Sequence, residues 1–272
     1  MSDQIAATET PHGKLVHANG LDIYYEEHGT GDPLLLLHGG TLTCRQWDNH
    51  IPTFAKRFHV FALDGRGHGQ TNNPTNTFSF RALADDVAAF IQALNIDTPL
   101  ILGFSDGGQI ALDLGIRYPA LARALVIVGV YSRLTESGMR WMHAFGFEGP
   151  HRVNFERMER ERPSLVQLWQ AQHTLQGAGT WKTLLDQVSE MWYTPLGYTE
   201  ADLRGCMGPI LIALGDRDDA IPVEEATYMY RLMPNAELAI TPNAQHFFPD
   251  TNHPFFAQML DFLLRHRAQP AA

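Results

Sequence analysis

Short apolar runs alternate with helix-patterned segments along most of the 272 residues, and this alternation constrains the fold more than any other feature. Residues 34–37, 58–63, 99–102 and 124–130 are too short and too uniformly apolar for surface helices, and they read as strands buried on both faces. Helical spacing covers 80–94 and 109–118, between the later strands. Residues 14–16 and 21–26, around Asn19-Gly20, read as a β-hairpin; residues 1–13 read as a loose tail. From 131 to 204 the alternation stops. That block is helix-prone, mixed in charge, and holds four of the five tryptophans: Trp141, Trp169, Trp181 and Trp192. Alternation resumes with a strand at 210–214, a helix at 223–233, a strand at 237–241 and a final helix at 253–265. The expected class is α/β, a mostly parallel twisted sheet flanked by helices. The core is expected over 1–130 and 205–272, with a helical cap inserted at 131–204.

Composition removes several function classes. The formal charge is −10, with no basic cluster, so nucleic acid is not an expected partner. The only cysteines, Cys44 and Cys206, lie far apart, which speaks against a disulfide framework or a thiolate metal site. No apolar run approaches ~18 residues and the first eleven residues lack an apolar signal core, so a cytoplasmic protein without a membrane partner is the expectation. Neither composition nor pattern speaks to oligomeric state.

The chemistry is concentrated in Gly103-Phe104-Ser105-Asp106-Gly107-Gly108, set between a strand and a helix. Gly-x-Ser-x-Gly at such a turn lifts a serine hydroxyl clear of the sheet beside a helix N-terminus. The small residues Gly107, Ala111 and Gly115 would let the following helix lie close against the sheet. A serine hydroxyl needs a base with a pKa near working pH, and histidine meets that need. A carboxylate then orients the imidazole. The acid is sought after the strand 210–214, at the carboxyl end of the sheet, in Gly215-Asp216-Arg217-Asp218-Asp219. Asp218 is preferred, with Asp216 and Asp219 left open. Of thirteen histidines, His246 is the candidate base: it stands 28 residues beyond Asp218, just after the last strand. His253 and His266 fall in the final helical pattern. The loop His38-Gly39-Gly40-Thr41 can turn a backbone N–H toward the serine. Gly40 is the preferred first oxyanion donor, Thr41 the runner-up, and the Asp106 N–H the second donor. His38 and His68 are expected to hold loops together.

Four segments taken jointly, HGG at 38–40, DGRGHG at 64–69, GFSDGG at 103–108 and D-x-x-x-P from 218 with His246 beyond it, resemble the α/β-hydrolase superfamily. The resemblance spans essentially the whole chain and implies a capping insertion where residues 131–204 lie. Dehalogenases and epoxide hydrolases of this fold use an aspartate nucleophile, so Ser105 sets the chain apart from them. Some relatives carry the acid after the preceding strand; Gly129-Val130-Tyr131 offers no carboxylate there. Two features depart from the common pattern. Gln245 stands where many relatives have glycine, with Asn243 at another frequent glycine position, and asparagine tolerates left-handed backbone. Asp106 follows the nucleophile directly. One reading is a carboxylate favoured at a helix N-terminus. The other, suggested by the similar GWSDGG segment of valacyclovirase-like amino-ester hydrolases, is a reader of a cationic amine on the substrate.

The resemblance implies a serine hydrolase acting on a small carboxylic ester, lactone or thioester, without metal or organic cofactor. Perhydrolysis, as in cofactor-free haloperoxidases, and C–C bond hydrolysis use the same constellation, and a ligand-binding protein on the same scaffold is the non-enzymatic rival. Trp141, Met142, Phe145, Phe147, Trp169, Trp181 and Trp192 are expected mostly to form the cap's own core. Trp141 and Phe145, with Asp106, are the candidate substrate contacts. The charged run 156–162 is expected to be a solvated helix face.

Overall fold

A computed structural model describes residues 13–175, 177–246 and 248–268; most of the expected tail at 1–13 lies outside them. The chain opens with β1 (Lys14–Ala18), β2 (Leu21–His28) and β3 (Asp32–Leu37), followed by a 3-10 turn at Cys44–Trp47, α1 (Ile51–Phe54) and β4 (Phe58–Leu63). It continues with α2 (Phe80–Ala93), β5 (Leu100–Phe104), α3 (Asp106–Arg117) and β6 (Ala124–Val128). Next come α4 (Glu136–Phe145), β7 (Phe147–Gly149), β8 (Arg152–Val153), α5 (Phe155–Glu161), α6 (Pro163–Gln172), α7 (Thr180–Tyr193) and α8 (Glu200–Gly205). The chain closes with β9 (Ile210–Gly215), α9 (Val223–Leu232), β10 (Ala236–Thr241) and α10 (Pro254–Arg265).

Among the described residues the main sheet has eight strands in the order β1-β2-β4-β3-β5-β6-β9-β10. The β1–β2 and β2–β4 pairs are antiparallel, and every later pair is parallel. The central strands β5, β6 and β9 are buried at every position. One core packs on each face: Ile101, Ile127 and Ile212 point to one, and Leu102, Val126 and Leu211 to the other. Adjacent residues of a strand face opposite ways, so both faces must be apolar once both are covered. Full burial of each such side chain is worth about 1.5–3 kcal/mol.

Helix α3 approaches the sheet unusually closely. A Cβ on Gly107 would lie 2.1 Å from the Leu37 carbonyl oxygen, and one on Gly115 would lie 2.7 Å from Leu125 Cδ1. The helix begins at Asp106 rather than at Gln109, because Gly107 and Gly108, poor helix formers, are needed in its first turn by that approach. Among the described residues no helix is long and apolar enough to cross a membrane.

The block between β6 and β9 carries α4 to α8 together with a small antiparallel pair, β7–β8, that periodicity did not reveal. Strands of three and two residues have no period to read. Gly146, at φ 110°, ends α4, and His151, at φ 54°, turns the chain between the strands. Trp169 and Trp181 stack within this block at 6.2 Å between ring centroids and are buried there.

Candidate active site

Ser105 sits between β5 and α3 with φ 51° and ψ −118°, a backbone that side-chain-bearing residues rarely adopt. The sharp turn is held from both sides. Its N–H donates to the Val128 carbonyl at 2.8 Å, and its carbonyl accepts from the Gln109 N–H at 2.9 Å. The adjacent glycines permit the turn, since a Cβ on Gly103 would lie 2.1 Å from the Gly107 carbonyl oxygen. Strain of this kind persists only where the surroundings over-determine it.

His246 Nε2 lies 3.0 Å from Ser105 Oγ, and its Nδ1 lies 2.8 Å from Asp218 Oδ2. The other Asp218 oxygen accepts the N–H groups of Ala220 and Ile221 at 2.9 and 2.8 Å. Those two bonds aim the free oxygen at the imidazole. Asp216 and Asp219 do not reach His246. Asp216 instead accepts from the Ala244 N–H, and Asp219 is exposed. The loops after β9 and β10 are stitched together: the Asp216 N–H donates to Thr241, the Arg217 N–H to Ala244, and a Cβ on Gly215 would strike the Ala244 carbonyl. Asn243 takes φ 55°, the left-handed conformation its side chain tolerates, so the turn forms without the glycine common among relatives. Gly129, at φ 65°, leaves room for the imidazole; a Cβ there would lie 2.9 Å from His246 Cε1. Phe104 and Trp141 flank that ring at 5.2 and 5.6 Å between centroids. His253 and His266 cap the two ends of α10, away from this cluster.

The 38–41 loop lies against the turn that follows Ser105, since a Cβ on Gly40 would come within 2.4 Å of Asp106 Oδ2. Gly39 donates its N–H to Gln46 Oε1. His38 Nε2 accepts the Gly65 N–H at 2.9 Å, and His68 Nδ1 lies 3.0 Å from the Arg66 carbonyl; both rings bind loops. Burial holds both imidazoles below their ordinary pKa, which keeps them neutral.

A pocket opens over Ser105 and His246. Its walls are largely apolar, with Leu134, Met142 and Ile221 among them, and its polar side chains include Asp106, Gln109 and Tyr131. Trp141 lines this cavity and a neighbouring outer recess, whereas Phe145 lines only the outer recess, together with Gly40 and Leu165. Among the described lining residues of either space none is Lys or Arg.

Asp106 is buried beside the nucleophile, with both carboxylate oxygens on the single Trp192 indole N–H at 2.9 and 2.8 Å. Burial pushes its pKa up to about 7, against the Trp192 hydrogen bond and the His246 charge, which both lower it. Trp192 and His173, both from the block between β6 and β9, were not singled out by sequence as polar partners. A tryptophan has no sequence mark distinguishing an indole N–H that bonds from one that does not. Among the described residues no group of three or more His, Cys, Asp or Glu side chains is arranged to hold a metal ion.

Comparison with known proteins agrees with this architecture. The chain is 28% identical to mouse "Serine hydrolase BPHL" over 239 residues, covering 85% of this chain and 79% of that protein. It is 25% identical to the 2-hydroxy-6-oxo-2,4-heptadienoate hydrolase of Pseudomonas putida over 265 residues, 92% of this chain and 96% of the relative. The meta-cleavage product hydrolase of Pseudomonas fluorescens IP01 has a similar fold, with a TM-score of 0.75 at 21% identity over 93% of this chain and 97% of that one. The sequence profile of the alpha/beta hydrolase family matches residues 34–263, and the chain belongs to that family.

Proposed function

We propose that this hydrolase cleaves a small carboxylic ester through an acyl-enzyme formed on Ser105. The observation that carries the reading is the continuous contact Asp218–His246–Ser105, at 2.8 and 3.0 Å. In this reading His246 Nε2 removes the hydroxyl proton as Ser105 Oγ attacks the carbonyl carbon. The tetrahedral oxyanion is received by the backbone N–H groups of Gly40 and Asp106. Collapse expels the alcohol, which takes the proton from His246. The same imidazole then deprotonates a water that attacks the acyl carbon, and the proton returns to Ser105 as the acid departs. Asp218 fixes the imidazole with Nδ1–H toward it. Residues 131–204, which carry nearly all of the helical segment between β6 and β9, act as a cap over this centre.

The cavity supports a substrate with an apolar body. Without Lys or Arg among its described lining residues it gives an anionic dienoate, such as the one in the P. putida relative's name, no counter-charge, so C–C bond hydrolysis is the weaker reading. One observation favours an amine-bearing ester. Asp106 is the only carboxylate among the described lining residues, and both its oxygens share one donor, leaving lone pairs for an ammonium.

Turnover of 4-nitrophenyl butanoate tests the first reading. Loss of turnover in Ser105→Ala supports it, and undiminished turnover refutes it. Paired amino-acid and des-amino esters test the second. Equal kcat/KM for the pair, unaffected by Asp106→Asn, rules out amine recognition.

A further inference from the structure

His173 follows the last turn of α6 and is 2% exposed. Its ring reaches across to two loops of the sheet domain. Nδ1 accepts the Gly69 N–H at 3.0 Å, and Nε2 lies 2.9 Å from the Thr41 carbonyl oxygen. An amide N–H only donates and a carbonyl only accepts, so the two partners fix one neutral tautomer, with the proton on Nε2.

The Thr41 carbonyl belongs to the peptide that closes a tight turn. Its other side, the Leu42 N–H, donates to the Gly39 carbonyl at 3.2 Å, so Gly40 and Thr41 are the two central residues of that turn. Thr41 sits at φ 62°, an unfavourable conformation for a β-branched residue. The turn therefore does not hold itself by backbone preference. It is held by the Leu42 N–H and the His38 Nδ1–H on the Gly39 carbonyl, by the Gly39 N–H on Gln46, and by the imidazole from the other block.

We propose that His173 is a positioning residue that holds the Gly39–Leu42 turn in the form that presents its N–H to the oxyanion, making the catalytic step depend on docking of the 131–204 block. The inference rests on the oxyanion reading given above. Its surroundings explain why the ring stays neutral. Burial lowers its pKa most, the Thr41 hydrogen bond and Asp64 oppose this, and His38 adds to the lowering, leaving it at about 4. His68 packs edge-on at 5.7 Å, itself neutral. A proton on Nδ1 would face the Gly69 N–H, donor against donor, so a protonated His173 cannot keep both bonds.

The test compares wild type with His173→Phe, which fills similar space without either bond, and His173→Gln, which keeps a donor and an acceptor at altered spacing. Two quantities are read after active-site titration: steady-state hydrolysis of 4-nitrophenyl butanoate, and inhibition by an aryl trifluoromethyl ketone, whose hemiketal oxyanion occupies the hole. Losing one oxyanion donor costs about 10²–10³ in kcat, so misplacing one is expected to cost about 10- to 100-fold. The expected order for kcat and ketone affinity is wild type, then Gln, then Phe, with KM within about twofold. A structural role alone would lower the active fraction and Tm but leave kcat per titrated site and ketone affinity unchanged, and that result overturns the proposal. If the Phe variant does not fold, the Gln variant decides alone: wild-type kcat and ketone affinity overturn the proposal. A wild type that neither titrates nor turns over would instead refute the serine-hydrolase reading beneath it.

Discussion

Asp106 offers a prediction whose size follows from its surroundings. A carboxyl with an ordinary pKa of 3.8 is pushed to about 7 by burial against Trp192 and the Gly40 loop. From 3.8 to about 7, at ~1.4 kcal/mol per pH unit, the ceiling is about 4 kcal/mol. The folded state favours the neutral acid, because ionisation must occur in a buried site with a single N–H donor. Its contribution to stability is therefore fully present below pH 3.8 and is lost as pH rises through about 7. Between pH 5 and pH 8 the expected loss from this one group is about 2–3 kcal/mol. For a chain of this size each kcal/mol corresponds to roughly 2–4 °C in Tm. Asp106→Asn keeps an oxygen for the Trp192 indole but cannot ionise. Thermal unfolding of both proteins at half-unit pH steps isolates the group, since every other titration is shared. The wild type should lose about 5–10 °C relative to the variant between pH 5 and 8. Parallel curves over that range would refute the reasoning and place the carboxylate in a well-solvated or cation-paired setting.

Other perturbations follow from the same geometry. Trp192→Phe removes the N–H that holds the Asp106 pKa down, so the loss of stability with rising pH should shift to higher pH; an unchanged midpoint would show that the bond carries little electrostatic weight. Asp218→Asn should lower kcat about 10⁴-fold by favouring the wrong imidazole tautomer, with KM little changed, and a drop below tenfold would remove Asp218 from its proposed role. Gly129→Ala places a methyl 2.9 Å from His246 Cε1 at a left-handed φ, so it should reduce kcat at least tenfold and lower Tm; a fully active variant would mean the imidazole sits elsewhere during turnover.

The sheet and the proposed triad were legible in the sequence for a common reason. Strands buried on both faces must be uniformly apolar, and the groups at their carboxyl ends sit in short loops with strong turn chemistry. Ser105 is marked by its glycines and Asp218 by the frame Gly215 to Pro222. His246 is marked by its place after β10. Choosing among the three aspartates by spacing agrees with the hydrogen bonds, because only Asp218 has its carboxylate aimed by the next turn of backbone. The polar contacts between the 131–204 block and the sheet were not legible. Trp192 and His173 reach Asp106 and Thr41 across 86 and 132 residues, and no local pattern encodes a pairing at that separation. Trp192 looked like another aromatic of the apolar interior, and its polar role depends on the burial of a carboxylate whose partner could not be named. The β7–β8 pair escaped because strands of three and two residues leave no periodic trace.

The most direct measurement is the site of covalent capture by a fluorophosphonate, read by intact mass and peptide mapping. One label per chain on Ser105 is predicted, absent in Ser105→Ala and slowed at least about 10³-fold in His246→Ala. Labelling that stays as fast without the imidazole, or that falls on another residue, would contradict the account.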